Sequence, residues 1–507
     1  MEMILVLLIA VPLGGAFLVP ILSKLWKRLA EIVGGLSVAA VLALTVYLII
    51  SFKPGSMLVY NFGRWPIPLG IVFAVDSLGI LMLLVISVLV FFAYLFALKY
   101  MDHFTGTWKF YTLLLLMLVG MNGVAMTGDL FNMFVFIEIS SIASYALVAF
   151  GTEPEELEAG FKYMVMGEIA SLMILLAIAF IYAATSTLNL ADISRMLATM
   201  NRSVGFYFVF ILLLFGFSVK AALVPFHSWL PDAHPSAPAP VSALLSGVFI
   251  KVLGVYAIAR LVFNVYGFTR SSYPQVFDAM IVLGLASIII GSLLALNQND
   301  YKRLLAYSSI SQIGYIIFGF GIGNEFALIG ALAHILSHAL GKGVLFLTSG
   351  SVVYRTGERD ITKFPGGLGK QMPWTSLAYS AGGLSVAGMP PFLGFFSKLF
   401  IILGALAAGM IPGAIIASLF AVVTLGYLLK ITNHVFWGKE GIKGIKESPF
   451  IMVFAMASLV VLLIAGGAFF FLLKTNLFGP ASNVLLSGGK YAETVLELGT
   501  KIIGGGG

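Results

Sequence analysis

Apolar runs of about 20 residues recur along almost the whole of this 507-residue chain, and each is long enough to carry a helix across a lipid bilayer. Hydrocarbon offers backbone amides no partner, so only helices or closed barrels can span it. Barrel strands alternate over about 10 residues, whereas these runs are continuous, so they read as helices. Composition agrees: 60% of the residues are hydrophobic and 10% charged, outside the range of soluble domains. There is no cysteine, which excludes disulfides, thiolate metal sites and thiol redox chemistry. The formal charge of +7 does not point to nucleic acid, because lysine and arginine here mostly flank the apolar runs. The run MILVLLIAVPLGGAFLV has no basic segment before it and reads as a first membrane helix, not a cleaved signal.

Dividing the runs at charged or Gly/Pro-rich breaks gives an all-α, polytopic membrane protein of about fourteen helices. Their expected spans are 3–22, 29–51, 75–98, 109–127, 129–150, 157–184, 206–224, 242–267, 275–297, 302–321, 325–352, 374–408, 413–437 and 450–473. Two are interrupted: the seventh at Pro225, in VKAALVPFHSWL, and the twelfth in GMPPFLGF, 388–395. Each pairs a proline–phenylalanine break with a buried lysine, and an odd helix spacing makes successive five-helix units opposite in topology. The expected layout is therefore three N-terminal helices over 1–108 and inverted five-helix repeats at 109–268 and 275–437. A last helix over 450–473 and a short surface tail over 479–507 follow, with KIIGGGG expected to be disordered. Assigning loops alternately to two sides places fifteen basic residues on one, including Lys162, Lys302, Arg303, Arg359, Lys439 and Lys443. The other side receives nine, including Arg195, Arg202 and Arg260. The richer side is expected to be cytoplasmic, which puts both termini outside.

The remaining lysines, Lys220, Lys251, Lys342, Lys398 and Lys430, fall inside apolar runs. Charge within a membrane helix is costly unless paired or hydrated, and it marks ion or proton pathways. Glu138, alone in LFNMFVFIEISSIASYALVAF, is the natural partner for Lys220, and each can hold the other's charge. If the partner withdraws, the lysine can release its proton. Lys251 either relays protons from Lys220 or snorkels to the interface. His334, His338 and Lys342 recur at i, i+4, i+8 and so share one helical face. Two histidines four apart can also bind metal, but a proton-carrying chain fits an apolar helix better. Lys398, after the second break, ends the line; Lys430 reads as an interfacial or pairing residue. Glu168 either pairs with Lys220 or Lys251 or answers Lys162. The broken segment around Pro225 is expected to expose Trp229, Pro231, Asp232 and His234, which makes His227, Asp232 and His234 auxiliary candidates.

With these residues in hand, the chain closely resembles the antiporter-like subunits of respiratory complex I, membrane-bound hydrogenases and Mrp-type sodium/proton antiporters. The resemblance spans about helices 4 to 13. It rests on GDLFNMFVFIEISSIASY, KAALVPFHSWLPDAHPSAPAPVSALLSG, YKRLLAYSSISQIGY, HILSHALGKGVLFL and GMPPFLGFFSK. It implies that Glu138 and Lys220 form the coupling pair and that Lys251, His334, His338, Lys342 and Lys398 translocate protons. The strongest likeness is to the large antiporter-like subunit of an archaeal ferredoxin-linked hydrogenase or its sulfur-reducing sister. Mrp D-type and complex I proton-pumping subunits are the alternatives. The chain ends within about 35 residues of its last helix, too soon for the lateral helix of the largest complex I subunit. The resemblance implies no cofactor in this chain, with Fe–S clusters and NiFe or other redox centres in partner subunits. The expected partners are other membrane subunits, a peripheral redox module, lipid and H⁺, with exchange for Na⁺ left open, and no nucleic acid. The expected location is the plasma membrane. Two other classes compete: an organic-solute transporter, which needs a roomy midplane pocket, and a scaffold with inert charges.

Overall fold

The computed structural model describes every residue except 201, 365, 439–443 and 505–507. Twelve helices among the described residues are long and apolar enough to cross a membrane. In order these are α1 (Glu2–Leu22), α2 (Lys27–Ser51), α3 (Ser77–Tyr100), α4 (Thr107–Met126), α5 (Leu130–Val148) and α6 (Pro154–Thr185). After the short amphipathic α7 (Leu190–Thr199), the first broken helix runs as α8 (Val204–Lys220) and α9 (Leu230–Ser236). Then come α10 (Ala239–Val265), α11 (Pro274–Leu296), α12 (Tyr301–Ile322) and α13 (Glu325–Thr356). The second broken helix is α14 (Pro373–Ala387) and α15 (Leu393–Ala407), followed by α16 (Ile411–Phe436) and α17 (Phe450–Ala468). Counting each broken pair as one crossing brings the twelve to the fourteen expected. Lys439 and Lys443 of the charge count lie outside the described residues.

Local chemistry sets the ends. Asp76, Asp129, Asp300 and Asn324 N-cap α3, α5, α12 and α13 with side-chain oxygens. Gly323 and Gly357, with φ of 73° and 72°, turn the chain out of α12 and α13. Packing separates centre from rim, and the enclosed helices α10, α12 and α13 are less hydropathic than the outer ones. α10 and α13 are wholly buried and α12 nearly so, whereas α1, α2, α6, α11, α16 and α17 leave most of their surface outward. Lys251, His334, His338 and Lys342 sit on the wholly buried α10 and α13, where lipid cannot reach them.

Three features differ from the sequence reading. A two-stranded antiparallel hairpin, β1 (Leu58–Asn61) and β2 (Val72–Val75), fills the segment before α3, with Leu58 opposite Val75. The tail is not a loose surface segment. It forms α18 (Gly479–Leu486) and α19 (Gly488–Gly504), burying Ala481, Leu485, Tyr491 and Val495 against the body. The Asn61 amide donates to the Gly499 carbonyl and ties the hairpin to α19. Of KIIGGGG, residues 505–507 lie outside the described residues, and the part before them continues α19. Finally, Trp229, Pro231 and His234 are buried, not exposed, because α9 folds back into the helix bundle.

Candidate ion-translocation site

The first break is built by backbone bookkeeping at the end of α8. Its terminal carbonyls lack helical partners. The Ser218 carbonyl accepts from Leu223 N at 3.0 Å. The Val219 carbonyl accepts from Ala222 N and from the Trp229 indole, each at 3.0 Å. Ala222 takes the left-handed conformation, φ 54°, which is unfavourable for a residue with a Cβ and typical of functional sites. Lys220 is the last residue of α8, where the helix dipole favours a cation. Its side chain is 3% exposed and lies 3.7 Å from Glu138 Oε1, so the sequence-expected pair is in contact. Lys220 Nζ also donates to Ser141 Oγ at 3.0 Å and Tyr145 OH at 3.4 Å. Glu138 in turn accepts from the Ser171 hydroxyl of α6.

α10 meets this break directly: a Cβ at Gly254 would overlap the backbone N and Cα of Ala221. One turn away, Lys251 is fully buried in a stretch of widened, i→i+5 turns, a deviation that favours functional positions. It does not snorkel. Its Nζ donates to the carbonyls of Ser246 and Gly247 at 2.7 and 2.6 Å. Ser246 Oγ meets Ser309 Oγ of α12 at 2.6 Å, and Lys342 Nζ reaches the Leu305 carbonyl of the same helix at 2.9 Å. α12 therefore bridges Lys251 to Lys342.

On α13 the rings of His334 and His338 stack at 5.9 Å, and among the described residues neither nitrogen of His338 has a hydrogen-bond partner. His334 Nδ1 meets Ser397 Oγ of α15 at 2.9 Å. The adjacent Lys398 sits 4.4 Å over the Tyr315 ring and donates to the Ala387 carbonyl at 3.4 Å. That carbonyl ends α14, where Gly388, φ 92°, breaks the helix. Both breaks thus aim a lysine at the C-terminal end of a half-helix, by different routes: Lys220 ends its own, and Lys398 reaches back from the next.

The auxiliary residues divide. Asp232 pairs with Lys162 at 3.4 Å and Arg303 at 3.1 Å. With Glu155, Glu158 and Arg359 they line an open charged cleft of about 350 Å³ at one end of the molecule. His234 is buried, stacked 4.5 Å from Phe346, and neither ring nitrogen has a hydrogen-bond partner among the described residues. His227 is half-buried beside Tyr307. Glu168 does not answer Lys162, which binds Glu158 at 2.7 Å instead, and among the described residues Glu168 joins no ion pair. Lys430 is a cap: it donates to the Leu296 and Gln298 carbonyls and to Asn299 Oδ1, at 2.9–3.0 Å, closing α11.

Sequence reasoning missed one buried charge pair. Arg260, counted there as a loop residue, lies inside α10 and binds both oxygens of Asp76 at 2.5 Å, the two side chains being 3% and 2% exposed. Tyr256 OH and Asn264 Oδ1 take two more of its donors, and its guanidinium lies 5.1 Å over the Tyr491 ring of α19. An arginine within an apolar run was the available signal. The hydroxyls of SSIASY and YSSISQ were a second, since serines in enclosed membrane helices have to find partners. Among the described residues no three His, Asp or Glu side chains are placed to hold a metal ion.

Asp129 lies outside the spans, capping α5. Burial pushes its carboxyl up to about 6, and backbone amides at Asn132 and Phe131 only partly oppose this.

Residues 127–424 match the family described as NADH:quinone oxidoreductase/Mrp antiporter, and residues 63–111 match the complex I chain 5 N-terminus. NADH-quinone oxidoreductase subunit N of Desulforudis audaxviator is 39% identical over 74% of this chain and 75% of its own length. The D-type subunit of the Na(+)/H(+) antiporter of Alkalihalophilus pseudofirmus is 34% identical over 87% of this chain and 88% of its own. A chain of the membrane-bound sulfane sulfur reductase, an archaeal respiratory membrane complex, superposes with a TM-score of 0.90 at 32% identity. That superposition covers 98% of this chain and 100% of the other. The match to more than half of the chain, over the segment that holds both breaks and all the enclosed lysines, makes this protein a multi-pass member of the NADH:quinone oxidoreductase/Mrp antiporter family.

Proposed function

We propose that this chain is a proton-translocating subunit of a redox-driven ion-pumping membrane complex. The observation that carries the reading is Lys220, enclosed at a helix break with Glu138 at 3.7 Å. When the carboxylate withdraws, the enclosed ammonium loses its counter-charge and gives up its proton; when it returns, the lysine is recharged. Lys251, Lys342, His338, His334 and Lys398 carry the proton laterally, with the serines of α12 and water completing the line. Units 109–268 and 275–437 act as inverted repeats, each contributing one break. The side rich in basic residues faces the cytoplasm, both termini face outward, and the membrane is the plasma membrane. Electron transfer takes place in a peripheral module and neighbouring subunits that hold Fe–S clusters and NiFe or other redox centres.

Replacing Lys220 or Lys398 by alanine in the intact complex, with pumping and electron transfer measured separately, tests this. Pumping is expected to collapse; native stoichiometry in both variants refutes it. A second reading, a D-type subunit of a Na⁺/H⁺ antiporter, is favoured by the breadth of the match to the Alkalihalophilus pseudofirmus protein. Na⁺-driven proton movement in vesicles without a redox substrate would select it.

A further inference from the structure

We infer that the Tyr145 hydroxyl is a positioning group for Lys220, a second holder that keeps the ammonium from closing fully onto Glu138. The inference rests on the reading of Lys220 as a translocating residue. Glu138, Ser141 and Tyr145 recur at spacings of three and four on α5, so they line one face toward Lys220. The two hydroxyls, at 3.0 and 3.4 Å, are nearer to Nζ than the carboxylate at 3.7 Å. On the elements packed around the pair the other titratable side chains are Glu168 and Tyr163 on α6 and, on α10, Lys251, three residues before the Gly254 that meets Ala221.

Tyr145 is not free to choose another place. Its ring meets Tyr163 edge-on at 4.5 Å, and Tyr163 stacks flat on Trp229 at 4.2 Å. The Trp229 indole donates to the Val219 carbonyl, one residue before Lys220. The stack therefore closes a ring from the lysine's backbone to its own side chain. Tyr163 is fixed in turn by Ser144 Oγ at 2.9 Å. The decisive neighbour is Gly167 on α6: a Cβ there would overlap the Tyr145 hydroxyl oxygen, so the hydroxyl occupies the space a side chain would need. Four residues on, Ser171 holds Glu138. One face of α6 thus sets both acceptors, the hydroxyl through Gly167 and the carboxylate through Ser171.

The two acceptors differ in kind. A carboxylate neutralises the ammonium, whereas a hydroxyl solvates it and leaves the charge in place. Held in part by hydroxyls, the ammonium is not locked onto Glu138, so the carboxylate can withdraw and the loss of its counter-charge then releases the proton. Without the Tyr145 hydroxyl, the lysine closes onto Glu138, the pair tightens, and the proton leaves only at higher pH.

The test uses Tyr145→Phe and Gly167→Ala in the intact assembly, in membrane vesicles, with proton movement followed by a pH-gradient dye from pH 6 to 9. Each variant is expected to turn over about tenfold more slowly near pH 7, the scale of one hydrogen bond to a charged group, with its optimum moved up by about one unit. A native rate and pH profile for Tyr145→Phe overturns the inference, as does an equal loss at every pH, which marks a purely structural role. If Gly167→Ala does not assemble, Tyr145→Phe, which deletes a single oxygen, decides alone. Lys220→Met separates the two readings. If it pumps normally, the translocation reading falls; if it is inactive while Tyr145→Phe is native, only the positioning role falls.

Discussion

Replacing Arg260 by methionine strands the Asp76 carboxylate, 2% exposed, without its cation. Breaking a buried pair from one side costs about 3–5 kcal/mol, because the remaining charge is left uncompensated. The local geometry points to the lower end. Asp76 Oδ1 keeps its two N-cap donors, Leu78 N and Gly79 N, both at 3.0 Å. Other losses are small: Tyr256 OH retains the Ala125 carbonyl at 2.9 Å, and only Asn264 Oδ1 is left without its partner. We therefore expect Arg260→Met to lose about 3 kcal/mol. Adding Asp76→Asn removes the charge and keeps a capping oxygen, so the double variant should recover to within about 1–2 kcal/mol of the native protein. Resistance to SDS-induced unfolding of the detergent-solubilised protein, followed by helical circular dichroism, measures all three. A single variant as resistant as the native chain, or a double variant no better than the single, refutes the account of Asp76 as a buried, uncompensated charge.

Gly254→Ala should destabilise by about 1–3 kcal/mol, since the new Cβ meets the backbone of Ala221, which cannot turn aside. It should also slow transport by shifting α10 from the first break; native stability and rate in the same vesicle assay would refute that contact. Asp129→Asn should flatten the pH dependence of stability. The folded carboxyl titrates at about 6 against an ordinary 3.8, so the fold prefers the neutral form. No penalty is present below pH 4; it grows as pH rises through 6 and is complete above that, at most about 3 kcal/mol. Asparagine keeps the cap, so the variant should match the native protein at pH 4 and exceed it in melting temperature at pH 8; equal melting at both pH values would count against it.

The membrane helices, the two breaks and most of the enclosed lysines were legible in the sequence; Lys302, buried against the Ala237 carbonyl, was counted there as a loop residue. Each depends on a local sum: 20 apolar residues bury a helix wherever it lands, and proline with glycine interrupts it. A charge in such a run points to enclosure or function, with snorkelling as its rival, and Glu138, Lys220, Lys251 and Lys398 were named from the runs. The hairpin and α7 escaped because short amphipathic pieces carry a weak signal beside long apolar ones.

Which partner each enclosed group finds was decided only by tertiary structure. Asp76 and Arg260 are 184 residues apart. Lys430 resembles the other lysines in its run, yet it caps α11 because that helix ends beside it. Trp229 and His234 stand in a polar, proline-rich segment that reads as exposed, and they are buried because α9 packs back into the bundle. Tyr145 reaches Lys220 only because the facing residue on α6 is Gly167. Hydropathy belongs to one segment and fixes where that segment lies. A hydrogen bond or ion pair belongs to two, and it is fixed only when helix faces meet at a particular rotation and depth.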